Sequence, residues 1–207
     1  MLDVPHAEGR DAFLDALDGL LAAVEPLDDR DLLGATWCWG WTVVDVLTHV
    51  RLGLEEVAAG LLAAGTCDAE PDRDAATYWS TPPPGGGGDE VAGVLAIRRT
   101  ATATRAPSTA VTLLRQVTTG LRPAVRRLPA GVLAFQGGVL TTGDLCATWA
   151  VELALHQLDL AREVDVAPPP AVALGLARRT VDALAAAGLA VPEFADRLPA
   201  TVDPERP

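Results

Sequence analysis

Apolar residues recur at three- and four-residue spacing along most of the chain, which is the pattern of amphipathic helices. One such stretch runs from Ala7 to about Val24 and ends at Pro26. The others follow it, and Pro107 separates two of them. They cover residues 42–64, 89–104, 108–128, 142–163 and 171–187. The pattern predicts four or five long helices that pack as a bundle.

The second helix has a well-defined start in the sequence. Thr42 is a good N-cap residue, and Asp45 at the third helical position can reach back to free backbone amides. Trp41 is expected to pack on Val46 as a hydrophobic staple. Ser108 is expected to cap the fourth helix in the same way, and Asp144 lies in the first turn of the helix that begins at Thr142.

The segments between the helices lack a strand pattern. Residues 67–88 contain three prolines followed by four glycines, which indicates a long surface loop. No strand precedes these glycines and no Gly-Lys-Ser/Thr follows, so a phosphate-binding loop is disfavoured. Residues 129–140 are expected to form a loop with a short extended piece. Because no segment alternates strictly, the fold class is all-α with strands a minor component at most.

Composition excludes several classes of function. The 207 residues carry a formal charge of −12, which disfavours binding to nucleic acid or to an anionic membrane surface. No apolar run is long enough to span a bilayer, and residues 1–20 do not resemble a signal peptide, so we expect a cytoplasmic protein. The three cysteines form neither a disulfide framework nor a zinc ribbon. The absence of Lys and Asn favours a GC-rich, plausibly actinobacterial, gene.

One helix carries a candidate metal-binding pair. Glu152 and His156 are four residues apart, so both project from one helix face. This face continues from Trp149 and should point into the core, where a carboxylate needs an arginine or a metal ion as compensation. Asp159, one turn further on, is placed to accept a hydrogen bond from a ligand imidazole.

The second helix offers the matching ligand. His49 lies on its inward line, and Gly53 one turn later leaves room beside it. Two imidazoles and one carboxylate, with one open position, are the ligand set of a catalytic zinc site, although nickel or ferrous iron also accepts it. The alternative is a hydrogen-bonded core histidine and a solvated Glu–His helix pair. His6 is expected to play no part.

Two segments resemble a known family. Residues 37–49, with Cys38, Gly40, Thr42, Asp45 and His49, resemble the "C-x-G-W-T-V-x-D-x-x-x-H" motif of the mycothiol-dependent maleylpyruvate isomerase family. Gly143-Asp144 followed by Glu152, His156 and Asp159 resembles its "E-x-x-x-H-x-x-D" motif. The resemblance implies a DinB-like four-helix bundle over residues 1–165, with a short C-terminal helical extension over 166–207. It also implies that His49, Glu152 and His156 hold zinc, and that a homodimer forms.

The resemblance implies a thiol-using enzyme. Mycothiol would be the cosubstrate that attacks a small electrophile, in an S-transferase or isomerase reaction. A zinc-dependent hydrolase and a non-catalytic metal-binding helical module stay open as alternatives. Catalytic residues beyond the metal ligands are not identified, although the family uses an arginine from its C-terminal part. The candidates are Arg178, Arg179 and Arg197.

Two further sets of residues have competing interpretations. Trp37, Trp39 and Trp41 either line the mouth of a pocket or, as we expect, cover the base of the bundle. Trp149, together with Gly53, is the better candidate for a pocket wall. Asp45 and Glu56 can be bases for a hydrolase, but capping and surface roles are expected for them.

Overall fold

The computed structural model describes residues 1–63, 69–80, 90–190 and 193–199, and it confirms the all-α prediction within them. Six α-helices are present in these ranges. They are α1 (His6–Val24), α2 (Val43–Ala63), α3 (Glu90–Thr102), α4 (Ser108–Arg127), α5 (Thr142–Leu160) and α6 (Ala171–Ala186). None of the helices described is long and apolar enough to cross a membrane.

The centre of the bundle is α5. This helix is buried along almost its whole length, and it packs against α1, α2 and α6, while α2 also packs against α4 and α3. Its core partners include Phe13 and Leu17 from α1 and Leu47 and Leu54 from α2, each about 1% exposed or less. Helix α6 lies on α5 and α1. The proposed division at residue 165 stays a prediction.

The start of α2 is capped as the sequence predicts. The Asp45 carboxylate accepts hydrogen bonds from the Thr42 backbone amide at 3.0 Å and from its hydroxyl at 2.8 Å. Trp41 was expected to pack on Val46. In the structure its ring lies beside the His49 ring, with the two centroids 5.0 Å apart. Thr141 caps α5 by accepting from the Asp144 amide at 3.0 Å.

The cap predicted for α4 is wrong. Ser108 is the first helical residue rather than the cap, and its backbone amide donates to the Asp29 carboxylate at 2.7 Å. A side chain from a distant segment therefore satisfies one of the free amides at this helix end.

The extended piece expected near residue 135 is an antiparallel hairpin of β1 (Val132–Phe135) and β2 (Gly138–Thr141). Its turn places Gln136 and Gly137 at φ 47° and 74°. This left-handed region is rare for residues other than glycine, and two such residues in succession are typical of a two-residue hairpin turn. Gln136 therefore occupies a position that Gly or Asn usually fills.

The segment expected to be a surface loop is partly buried. Asp74, Ala75 and Ala76 are each 5% exposed or less, and a short 3-10 helix, Thr77–Ser80, follows them. The Pro- and Gly-rich part of that prediction and Cys67 lie outside the described residues. Of the other cysteines, Cys146 is buried and Cys38 half-buried, and both are free thiols.

Candidate metal centre and adjoining cavity

Helices α2 and α5 bring three candidate ligands together. His49 Nε2 lies 3.4 Å and His156 Nε2 lies 3.2 Å from the same atom, Glu152 Oε1. One donor atom from each residue lies within 4.8 Å of the other two. Ligands about 2.1 Å from a tetrahedral zinc ion are roughly 3.4 Å apart. The donor types and their separations therefore fit a divalent metal with a vacant coordination position.

Glu152 and His156 strongly affect each other's pKa values. Burial alone would raise the pKa of Glu152, but the charges and hydrogen bonds of His156 and His49 outweigh it and hold the pKa far below its usual value. Burial also lowers the pKa of His156, and Glu152, with hydrogen bonds to Asp159 and Cys38, raises it well above the ordinary value. Without a metal, the carboxylate and the imidazolium therefore stabilise each other.

Asp159 lies behind His156, as the spacing predicts. Its Oδ2 is 3.1 Å from His156 Nδ1, and the Asp159 side chain is 2% exposed. A hydrogen on Nδ1 that is donated to Asp159 leaves the Nε2 lone pair directed toward Glu152 and His49. This contact fixes the ring orientation that metal binding needs.

Two further side chains reach Asp159, those of Cys38 and of Arg197, one of the three arginines that the resemblance offered as candidates. The Cys38 thiol donates to Asp159 Oδ2 at 3.0 Å, and burial raises the pKa of this thiol. Arg197 Nε lies 3.1 Å from Asp159 Oδ1. Arg197 comes from a 3-10 helix, Glu193–Arg197, in a tail that shows no periodicity, so no signal in the sequence distinguished it from Arg178 and Arg179. Cys38 did have one, as a member of the first motif.

The other C-terminal arginines lie elsewhere. Arg178 donates to the Pro199 carbonyl at 2.6 Å, and Arg179 pairs with Glu8. His6, expected to be without a role, begins α1 and lies 2.8 Å from the Thr142 hydroxyl through Nδ1. Among the described residues, two groups could hold a metal ion, one of His49, Glu152 and His156 and one of Cys38, His156 and Asp159, and His6 belongs to neither.

The tryptophans of the loop before α2 do not cover the base of the bundle as expected. Trp37 is 55% and Trp39 is 64% exposed. The Arg162 guanidinium lies 5.2 Å from the Trp37 ring centroid, a cation–π arrangement. Trp41 alone packs toward the site, against His49.

A cavity of about 400 Å³ adjoins the cluster. Helix α2 lines it with His49, Val50, Leu52, Gly53 and Glu56. Helix α5 lines it with Thr148, Trp149 and Glu152, and the remaining wall comes from Tyr78, Trp79 and Gln136. The cavity therefore extends from two of the metal-ligand candidates to the hairpin turn.

Gly53 permits the close packing of this wall. A Cβ atom at this position would lie 2.5 Å from Cη2 of Trp149, so only glycine lets the indole lie against α2. The space that the sequence predicts beside His49 is thus occupied by Trp149. Asp45, one of the two suggested bases, is 2% exposed and remains with its helix cap, whereas Glu56 lines the cavity.

Comparison with known proteins agrees with this fold. The chain superimposes on the crystal structure of a mycothiol-dependent maleylpyruvate isomerase, solved as a histidine-to-alanine mutant, with a TM-score of 0.59 at 15% identity. The match covers 87% of this chain and 70% of that one. No match was found among curated proteins.

The family model "Mycothiol maleylpyruvate isomerase N-terminal domain" matches residues 13–161, a span that holds both sequence motifs and all three converging ligands. The predicted DinB-like helical fold is in accord with this match and with the structural superposition. The chain therefore belongs to the mycothiol maleylpyruvate isomerase N-terminal domain family.

Proposed function

We propose that this protein is a zinc-dependent enzyme that uses mycothiol to attack a small electrophile, in an S-transfer or an isomerisation. The observation that supports the proposal is the convergence of His49, Glu152 and His156 at the inner end of a cavity of about 400 Å³. Membership of the family supports the choice of thiol. Nickel or ferrous iron fits the same donors, so zinc is chosen on ligand type and availability.

A divalent metal held by these residues would lower the pKa of a bound thiol and so provide a nucleophile at neutral pH. The protein's own part is to hold the site open and oriented. Asp159 fixes the tautomer of His156, while His49 and Glu152 present their donor atoms to the cavity. Trp149 and Val50 supply an apolar wall beside the ligand candidates.

Hydrolysis without a thiol is the less favoured reaction. A hydrolase needs a base within hydrogen-bonding reach of the attacking water. Glu56 is seven residues from His49 on one helix, roughly 10 Å along its axis, and Asp45 is held in the helix cap. Neither carboxylate is placed for that proton transfer, which favours the thiol reaction.

The test combines metal analysis with a thiol titration. Purified wild-type protein is expected to contain one equivalent of metal by mass spectrometry and to bind mycothiol by calorimetry. Glu152→Gln should lose metal and thiol binding. Glu55 is an exposed residue of α2 that pairs with Arg51, so Glu55→Gln should retain both.

Two outcomes separate the alternatives. Turnover of an electrophile that is unchanged when mycothiol is omitted would favour the hydrolase. Bound metal without thiol binding would favour a non-catalytic module. We also propose a cytoplasmic location, an actinobacterial source and a homodimer. Light scattering that gives the mass of a monomer would contradict the last of these.

A further inference from the structure

The wall of the cavity formed by Tyr78, Gln136 and Glu56 carries a polar network that the metal chemistry does not use. The Tyr78 hydroxyl donates to the Gln136 side-chain carbonyl, and the Gln136 amide donates to Glu56 Oε2 at 2.9 Å. Three separate segments supply these side chains: the 3-10 helix, the hairpin turn and α2. We call these three residues the polar wall.

The direction of these hydrogen bonds leaves the polar wall with more open acceptors than open donors. Tyr78 keeps its proton, because burial, together with the negative charges of Glu152 and Glu56, raises the pKa of the phenol. The Gln136 amide is oriented by both neighbours, so its carbonyl is occupied by Tyr78 and its NH₂ group faces Glu56. This network leaves open two kinds of acceptor, the second carboxylate oxygen of Glu56 and the lone pairs of the phenol, and one donor, the second N–H of the Gln136 amide.

Charge in the cavity points the same way. Among the lining residues described, Glu56 is the acidic residue away from the metal-ligand candidates, and none is an arginine. The chain has no lysine, and the segments 64–68 and 81–89 contain no basic residue in their sequence. Arg73 is the cation that acts on Tyr78, but its guanidinium lies against Gly138 on the hairpin rather than on the cavity wall.

The side chain at position 136 joins the other two segments of the polar wall. The φ of 47° belongs to the hairpin turn, where Asn or Gly fits better. The long glutamine side chain spans from the turn to both Tyr78 and Glu56. These contacts are not needed for the turn itself, and they hold the Glu56 carboxylate at the edge of the cavity.

We propose that the polar wall is a second subsite, which binds a hydroxyl or ammonium group at the far end of a ligand held at the metal cluster, and which disfavours a carboxylate there. The inference rests on the proposed function in one respect, which is that the end of the ligand at the metal cluster is a thiol. Glu56 and His49 are roughly 10 Å apart along α2, which sets the length of a ligand that reaches both.

The test uses three thiols of equal length. 6-Mercaptohexanol, 6-aminohexanethiol and 6-mercaptohexanoic acid are titrated calorimetrically into the zinc-loaded protein, and their terminal groups reach the polar wall. The alcohol and the amine are expected to bind about fivefold or more tightly than the acid, since a charge-assisted contact replaces a like-charge contact at a partly exposed site.

Matched variants assign the preference to Glu56. Glu56→Gln should bring the amine and the acid within about twofold of each other, whereas Glu55→Gln, which does not line the cavity, should retain the wild-type order. Equal binding of the three thiols by wild type, or the same change in both variants, would overturn this inference and leave the thiol reaction standing. If none of the thiols binds, both proposals fall.

Discussion

The two ends of the cavity are built in different ways. At the metal end, three candidate groups lie on a single helix, α5, and a fourth, His49, faces them from α2. At the other end, the polar wall takes one residue each from a 3-10 helix, a hairpin turn and α2. Rigid helices fix distances within a site, while separate segments allow one contact to change without the others. The first end suits chemistry and the second suits selection among ligands.

Removal of a ligand should produce the largest effect. His156→Ala is expected to weaken metal binding by more than about 100-fold, beyond the loss typical of a supporting residue. The measurement is metal content after dialysis against a graded chelator. His6→Ala is the matched control, because His6 contacts Thr142 and not the cluster, and it should retain wild-type metal content. Equal losses in both variants would contradict the assignment of His156 as a metal ligand.

Loss of the residue behind the ligand should have a smaller effect of the same kind. Asp159→Asn is expected to weaken metal binding about 10–100-fold, since the amide no longer fixes the tautomer of His156 as a carboxylate does. Competition with a chromogenic chelator measures this. Asp165→Asn, an exposed aspartate beyond the end of α5, should leave the affinity unchanged.

Crowding the contact between α2 and α5 should lower stability. Gly53→Ala is expected to cost about 1–2 kcal/mol net, because the overlap with Trp149 outweighs the better helix propensity of alanine. Gly120→Ala on the exposed side of α4, where a Cβ atom meets nothing within 4 Å, should instead stabilise by up to about 1 kcal/mol. Urea unfolding of both variants gives the comparison, and a stabilised Gly53→Ala would contradict it.

The metal-free protein should have a stability maximum in pH. The lowered pKa of Glu152 contributes stability that is present above its unfolded pKa of about 4.3 and is lost as pH falls through the folded value. The raised pKa of His156 contributes stability that is present below about 6.5 and is lost as pH rises through the folded value. Thermal unfolding at a series of pH values measures the loss of stability on both sides of the maximum. His156→Gln should reduce the loss of stability on the alkaline side.

The smallest effect is expected at the polar wall. Gln136→Asn should stabilise the fold by a few tenths of a kcal/mol, because asparagine tolerates the left-handed backbone better and the turn sits at the surface. The shorter side chain should also reduce the selectivity among the six-carbon thiols. Denaturant unfolding with the thiol titration tests the pair of effects. A destabilised variant would show that the glutamine contacts contribute more than the turn.

Helical periodicity accounts for what the sequence could predict. Glu152, His156 and Asp159 fall on one face because their spacing follows the helix repeat, and the apolar neighbours of His49 place it on the inner face of α2. The capping of α2 was also predictable, because Thr42 and Asp45 are close in the sequence and interact locally.

The rest depends on contacts between segments that lack such a pattern. Tyr78 and Arg197 lie in stretches without periodicity, and their positions are set by tertiary packing. Gln136 is in a turn whose sequence departs from the usual Asn-Gly or Asp-Gly signal, so the hairpin was only a short extended piece in the prediction. Trp37 and Trp39 were expected to cover the base of the bundle, but a large aromatic side chain is not always buried, and both are more than half exposed.

The packing of Trp149 on Gly53 has a consequence for how the cluster can be adjusted. Since α5 carries Glu152 and His156 as a fixed unit, the separation between the two helices is the main variable that sets how far His49 stands from them. The indole lies between the two helices one turn from His49, and its size therefore sets the distance between them. Replacing Trp149 with a larger or smaller side chain would change the distance from His49 to Glu152 and His156, although all three ligands would still be present.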